Sequence, residues 1–202
     1  MGGWTVLNLI ALTAQPLNRL TAQVSVRFSL GARYSTALVR DSLFVPVDLQ
    51  PALAPTLQLG LRDDLHGPWM ADVTLDLSSS KLKRKESGTA YDAGSVTAVA
   101  LTLGLHRDIA RDVRARLGVG GLIYSGSDLG VFARGAGGLQ PLISLGATYA
   151  PPFGQNHAIE LNVQYDVHRF LTPALRSVGF NRPRPVHRFA ISVSARLLGG
   201  TR

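Results

Sequence analysis

The sequence predicts an all-β fold, an eight-stranded antiparallel up-and-down β-barrel that crosses a membrane. Three observations predict it. Apolar and polar residues alternate strictly in eight segments, the signature of strands that differ on their two faces. The connections between the segments alternate between long and short. The polar face of the segments is built largely from Gly, Ser, Thr and Ala.

The segments justify themselves in chain order. Residues 23–34 put Val24, Val26, Phe28, Leu30, Ala32 and Tyr34 on one face, against Ser25, Arg27, Ser29, Gly31 and Arg33. Residues 56–62 set Leu57, Leu59 and Leu61 against Gln58, Gly60 and Arg62, and residues 69–78 set Val73, Leu75 and Leu77 against Asp72, Thr74, Asp76 and Ser78. Residues 95–106 oppose Val99, Leu101, Leu103 and Leu105 to Ala98, Ala100, Thr102, Gly104 and His106. Residues 113–124 oppose Val113, Leu117, Val119 and Ile123 to Arg114, Arg116, Gly118 and Gly120. Residues 139–149 carry Ile143, Leu145, Ala147 and Tyr149 against Ser144, Gly146 and Thr148. In residues 157–168, Ile159, Leu161, Val163, Tyr165 and Val167 alternate with Glu160, Asn162, Gln164, Asp166 and His168. Residues 186–197 finish with Phe189, Ile191, Val193, Ala195 and Leu197 against Arg188, Ser192, Ser194 and Arg196. On a helix such alternation would scatter apolar groups all round, and the β-branched and Gly content favours strands.

The connections 35–55, 79–94, 125–138 and 169–185 are long, whereas 63–68, 107–112 and 150–156 are short. Short turns at one end and long loops at the other mark an up-and-down membrane barrel. No run approaches the roughly 20 apolar residues of a transmembrane helix. The barrel is placed at 23–198; residues 1–22, with the apolar stretch 4–14, read as a degenerate signal segment or an N-terminal arm.

Alternation alone leaves open which face is inside, and a soluble lipocalin-like carrier would place the apolar face inward. Three features favour the inverse. The small polar-face residues suit a lumen just wide enough for side chains. All three lysines, Lys81, Lys83 and Lys85, fall in one segment assigned to a loop, whereas a soluble barrel scatters lysine over its polar face. The charges of the polar face carry both signs and are few enough to pair. Trp69 and Tyr149 at the turn side, and Tyr34 and Phe189 at the loop side, have outward parity and suit interfacial girdles.

On strand number, loop alternation and face chemistry, residues 20–198 resemble the small bacterial outer-membrane barrels typified by the OmpA transmembrane domain and OmpX. The resemblance implies a monomer in the outer membrane, in contact with membrane lipid. Members usually end in an aromatic residue; here Leu197 and Leu198 are followed by Gly199, Gly200, Thr201 and Arg202.

Function follows from what the faces carry. A lumen charge network of Arg27, Asp72, Asp76, Arg114, Arg116, Glu160, Asp166, Arg188 and Arg196 is expected to plug the barrel, giving a non-enzymatic, structural or surface-interacting protein. Lys81, Lys83, Arg84, Lys85, Arg176, Arg182 and Arg184 are candidate contacts for an anionic surface such as lipopolysaccharide phosphates. The net charge of +8 would also suit nucleic acid, but no aromatic platform interleaves the basic residues. With no cysteine there is no disulfide or thiolate site, and neither a cofactor nor a metal is expected. The glycines at 118–121 and 135–138 lack a Walker lysine, and His66, His106 and His157 read as solvated residues near turns. The alternative is a lipid A deacylase or acyltransferase of the same fold. Asp166, His168, His187, Arg188 and Ser177 gather at the loop end, but His168 points inward and His187 outward by parity.

In the last hairpin two registers keep the polar residues on one side. One sets Asp166 opposite Arg188; the other sets Glu160 opposite Arg196 and His168 opposite Arg188.

Overall fold

The computed structural model describes residues 24–41, 47–65, 67–127, 131–132, 136–151 and 159–198. The expectations for residues 1–22, His66 and His157 lie outside that range.

Eight strands close a ring: β1 (Ser25–Ser35), β4 (Ala54–Asp64), β5 (Trp69–Glu86), β6 (Thr89–Ala110), β7 (Val113–Gly126), β8 (Ala136–Tyr149), β9 (Ile159–Phe170) and β10 (Arg184–Leu198). Every neighbouring pair is antiparallel, and β1 pairs with both β4 and β10, so the sheet has no free edge at the level of the ring. Over its described residues each predicted segment falls on one of these strands, with Val24 just ahead of β1. In the last hairpin the first register holds: Arg188 lies opposite Asp166 and Ser194 opposite Glu160.

The barrel is apolar outside and polar inside. Leu103 is 59% exposed and Leu161 45%, whereas Ser29, Gln58, Thr102 and Ser144 on the inner face are buried. Lipid accommodates this inversion and water does not, because a closed barrel satisfies its backbone between strands and turns an apolar band outward. A soluble lipocalin-like barrel would have the opposite facing.

Above the band the chain departs from the predicted loops. The segment 79–94 is not a loop: β5 and β6 run on as a paired hairpin to a two-residue turn at Ser87 and Gly88. Both turn residues have positive φ, 47° and 85°, the type I′ geometry that suits the twist of the flanking strands. The three lysines therefore stand on a strand. The segment 35–55 contains β2 (Val39–Asp41) and β3 (Val47–Pro51), and β3 pairs with β5 from Leu82 to Glu86, past the end of β4. The segment 107–112 shrinks to a turn at Arg111 and Asp112 between β6 and β7. After β9 a short helix, α1 (Pro173–Ser177), starts with Pro173 in its first turn and Thr172 as N-cap, whose hydroxyl accepts from the Leu175 N–H at 3.2 Å.

These additions roof the loop end of the lumen. Leu38, Leu49 of β3, Leu82 of β5, Phe132, Phe170 of β9 and Leu175 of α1 are buried together there. Phe170 meets Tyr124 edge-on at 5.4 Å and Phe132 at 6.0 Å. The small polar interior expected from the sequence thus covers only part of the lumen. At the loop end the inner face meets incoming loops instead of a narrow polar channel, and large apolar side chains fill the space.

Candidate functional site in the barrel lumen

Alternation turns every second residue of each ring strand inward, so charges far apart in sequence converge in the lumen. They form two layers. In the loop-side layer, Arg33 of β1 donates to both Asp76 oxygens, at 2.8 and 2.6 Å, and lies 3.5 Å from Asp166 of β9. Arg188 of β10 lies 3.6 Å from Asp76 and 4.0 Å from Asp166. Gln58 and Thr56 of β4 also donate to Asp76, at 2.7 and 3.3 Å. All four charged residues are at most 2% exposed. Unpaired charges there would be very costly, and the two arginines balance the two aspartates.

The turn-side layer is built around Asp72 and Glu160. Arg116 of β7 donates to both oxygens of Asp72, at 3.0 and 2.9 Å, and His106 Nε2 lies 2.9 Å from the same carboxylate. Glycine makes room for this group: a Cβ on Gly104 would stand 2.1 Å from Asp72 Oδ1 and 2.6 Å from Arg116 Nε. Glu160 accepts from Arg27 and from Arg114, the latter at 2.8 Å, and lies 3.5 Å from Arg62. Arg114 also reaches out to Asp108 at the rim, at 3.0 Å. Arg196 faces inward near Arg27, and its Nε has no hydrogen-bond partner among the described residues.

The structure therefore brings the nine predicted charges onto the inner face in two groups. It adds Arg33, Arg62 and His106, which sequence reasoning left out of the network. Arg33 and Arg62 already had inward parity. His106 was read as a solvated residue near a turn; it is 1% exposed, because β6 continues past it to Ala110 and places it inside. Between the layers lies a cavity of about 60 Å³, with Arg27, Arg62 and Arg116 in its wall.

The residues of the enzymatic alternative do not assemble. His168 is buried beside Tyr124, with ring centroids 5.5 Å apart, and neither imidazole nitrogen has a hydrogen-bond partner among the described residues. His187 faces outward, its Nδ1 2.6 Å from Tyr165 Oη. Ser177 donates to the Ala174 carbonyl on α1, at 2.8 Å. Asp166 and Arg188 belong to the loop-side ion layer.

The basic residues of the loop end fall into two sets. On β5 the outward row Leu75, Leu77, Ser79, Lys81, Lys83, Lys85 passes from apolar to basic without a break, and the three lysines are exposed. Lys81 pairs with Asp92 at 3.2 Å, Lys85 donates to Gln50 at 3.2 Å, and Arg84 pairs with Glu86 at 3.1 Å. On the β2–β3 hairpin Arg40 grips Asp48 through two hydrogen bonds, at 2.6 and 2.7 Å. These bonds hold the Asp48 carboxyl below its usual range, and Arg184 of β10 and Lys85 act in the same direction from nearby. Asp92 is likewise held low, by the Gly94 N–H and then by Lys81. Arg176 and Arg182 stand exposed on α1 and the segment after it. The outward aromatics sit at both ends of the band. Tyr34, Phe189 and Tyr165 lie directly opposite one another across β1, β10 and β9, and Trp69 at the turn side carries Arg107 over its ring at 5.2 Å.

No protein-family model matches the sequence, and no curated protein matches it by sequence. Solved structures match the fold. The attachment invasion locus protein Ail of Yersinia pestis, in complex with the heparin analogue sucrose octasulfate, superposes with a TM-score of 0.53 at 13% identity, covering 87% of this chain and 99% of Ail. The structure of Ail in a phospholipid bilayer nanodisc gives a TM-score of 0.50 at 11% identity, over 86% of this chain and 99% of that one.

Proposed function

The chain has the fold of the small outer-membrane β-barrels, and from that premise we propose that it is an integral, non-enzymatic protein of the bacterial outer membrane, monomeric, with a lumen plugged by its own side chains. The observation that carries this reading is the double closure of the interior. Two ion-paired layers cross the lumen, and an apolar roof covers its loop end. Ions moving through would have to displace buried pairs, and a buried charge left without its partner costs about 3–5 kcal/mol. A planar-bilayer recording of the purified protein tests it. Small or absent conductance is expected, and large, steady single-channel currents would refute the plug. The separation of Ser177, His168 and His187 supports the non-enzymatic reading over a lipid A-modifying one; an unchanged lipid A mass spectrum on expression is its check.

The surface role falls to the basic loop end. Lys81, Lys83 and Lys85 continue the outward row of β5 just beyond Leu77, at the edge of the apolar band, where they would meet anionic lipid phosphates. Arg84, Arg176, Arg182 and Arg184 add to the positive field of that end. Ail, which shares the fold, was solved with a sulfated heparin analogue, and a polyanion is the same chemical class of partner. Binding to lipopolysaccharide-containing vesicles that weakens steeply with salt is expected.

A further inference from the structure

The turn-side half of the lumen holds more positive charge than its own carboxylates match. Arg27, Arg62, Arg114, Arg116 and Arg196 face inward there, against Asp72 and Glu160. At the rim, exposed Asp108 accepts from Arg114 at 3.0 Å and exposed Asp64 adds a fourth carboxylate, so five arginines stand against four carboxylates. The loop-side layer, in contrast, is balanced.

The excess sits beside space. Arg27, Arg62 and Arg116 line the cavity of about 60 Å³, together with Ser29, Thr148 and Asn162. Arg62 is 8% exposed, and its Nε and Nη1 have no hydrogen-bond partner among the described residues. Among the described residues it approaches Glu160 at 3.5 Å, a carboxylate already engaged by Arg27 and Arg114 and absent from the cavity wall. Arg27 Nε likewise has no hydrogen-bond partner among the described residues. The one carboxylate in the wall, Asp72, is taken up by Arg116, His106 and Thr74. Buried donors with unmatched charge are stabilised by an acceptor that carries the opposite charge.

We propose that this turn-side cavity is a binding site for a small inorganic oxyanion, sulfate or phosphate, held chiefly by Arg62 with Arg27. The planar guanidinium fork fits tetrahedral oxyanions. The volume has room for a few waters, or for one such ion in their place, but not for a lipid headgroup.

Equilibrium dialysis of the folded, full-length protein in detergent against radiolabelled sulfate, at constant ionic strength, tests the proposal. One sulfate per barrel is expected, displaced by inorganic phosphate and not by glycerol phosphate. Arg62→Gln should weaken binding about tenfold or more, as loss of hydrogen bonds to a charged group does. Lys83→Gln, on the basic loop rim, should leave it unchanged. No saturable sulfate binding, wild-type binding in Arg62→Gln, or loss of binding in Lys83→Gln alone would each overturn the site. Where Arg62→Gln lacks the gel mobility of a folded barrel, Arg62→Lys keeps the charge and removes the fork. It should fold and bind more weakly, and binding equal to wild type there also overturns the proposal.

Discussion

Asp76→Ala is the sharpest test of the lumen chemistry. Asp76, 2% exposed, accepts two hydrogen bonds from Arg33 and one each from Gln58 and Thr56, and lies 3.6 Å from Arg188. Its loss leaves Arg33 and Arg188 to share Asp166, at 3.5 and 4.0 Å, so one buried positive charge is uncompensated. Removing one partner of a buried pair costs about 3–5 kcal/mol. The four lost hydrogen bonds are part of that figure and not an addition to it, because both describe the same stranded donors. Replacing both members by apolar residues, as Arg33→Met with Asp76→Leu, should recover most of the loss, since an apolar pair of similar volume strands no charge. Reversible urea unfolding in lipid vesicles, followed by tryptophan fluorescence and gel mobility, measures both variants. A cost below about 1 kcal/mol for Asp76→Ala, or a double variant worse than the single one, would show that the layer is solvated and the electrostatic reasoning mistaken.

Three further outcomes follow from the facing, the packing and the hairpins. Leu161→Arg, on the lipid side of β9, should cost about 2–4 kcal/mol in the same unfolding assay, and Asn162→Asp, one residue away and inward, markedly less; equal costs would contradict the assigned faces. Gly104→Val should separate Asp72 from Arg116 and cost about 2 kcal/mol or more, read as a lowered urea midpoint, because the added carbon has no room beside that ion pair. Since Asp48 ionises more readily folded than unfolded, its bonds to Arg40 add stability above the ordinary carboxylate value of about 3.9 and lose it as pH falls through the lowered one. Amide protection factors of residues 39–41 and 47–50, taken relative to the intrinsic exchange rate at each pH, should therefore fall below about pH 4 in the wild type, and that step should vanish in Arg40→Ala.

Most of the ring was legible because lipid enforces alternation. A strand such as β9 must keep Ile159, Leu161 and Val163 outward and Glu160, Asn162 and Gln164 inward, or place charge in hydrocarbon. Above the membrane that constraint lapses. On β5, Leu82 lies inward between the outward lysines Lys81 and Lys83; the period of two persists with its polarity reversed, and the charges read as a loop. The Ser87–Gly88 pair was the signal for a hairpin there, since that dipeptide is a turn former. The apolar roof was harder to foresee. Leu38, Phe132 and Leu175 sit on separate long connections, and no periodicity ties a loop residue to the barrel mouth it fills. The charged candidates were legible as a set of inward residues but not as pairs. Parity fixes the face of Arg33 and Asp76, while their meeting depends on the width and stagger of the closed barrel.

The seam between β1 and β10 sets an order of events. It joins Arg27 to Arg196 and Tyr34 to Phe189, residues from opposite ends of the barrel domain, so it is the pairing with the greatest loop to close. Until it forms, the inner face is the concave side of an open sheet, and its arginines and carboxylates stay hydrated. Arg33 on β1 reaches Asp76 on β5 and Asp166 on β9, so the pairs span strands that lie on both sides of the seam. Water leaves the charges only in the step that also supplies their partners, and the desolvation of the interior and the sealing of the wall become one transition.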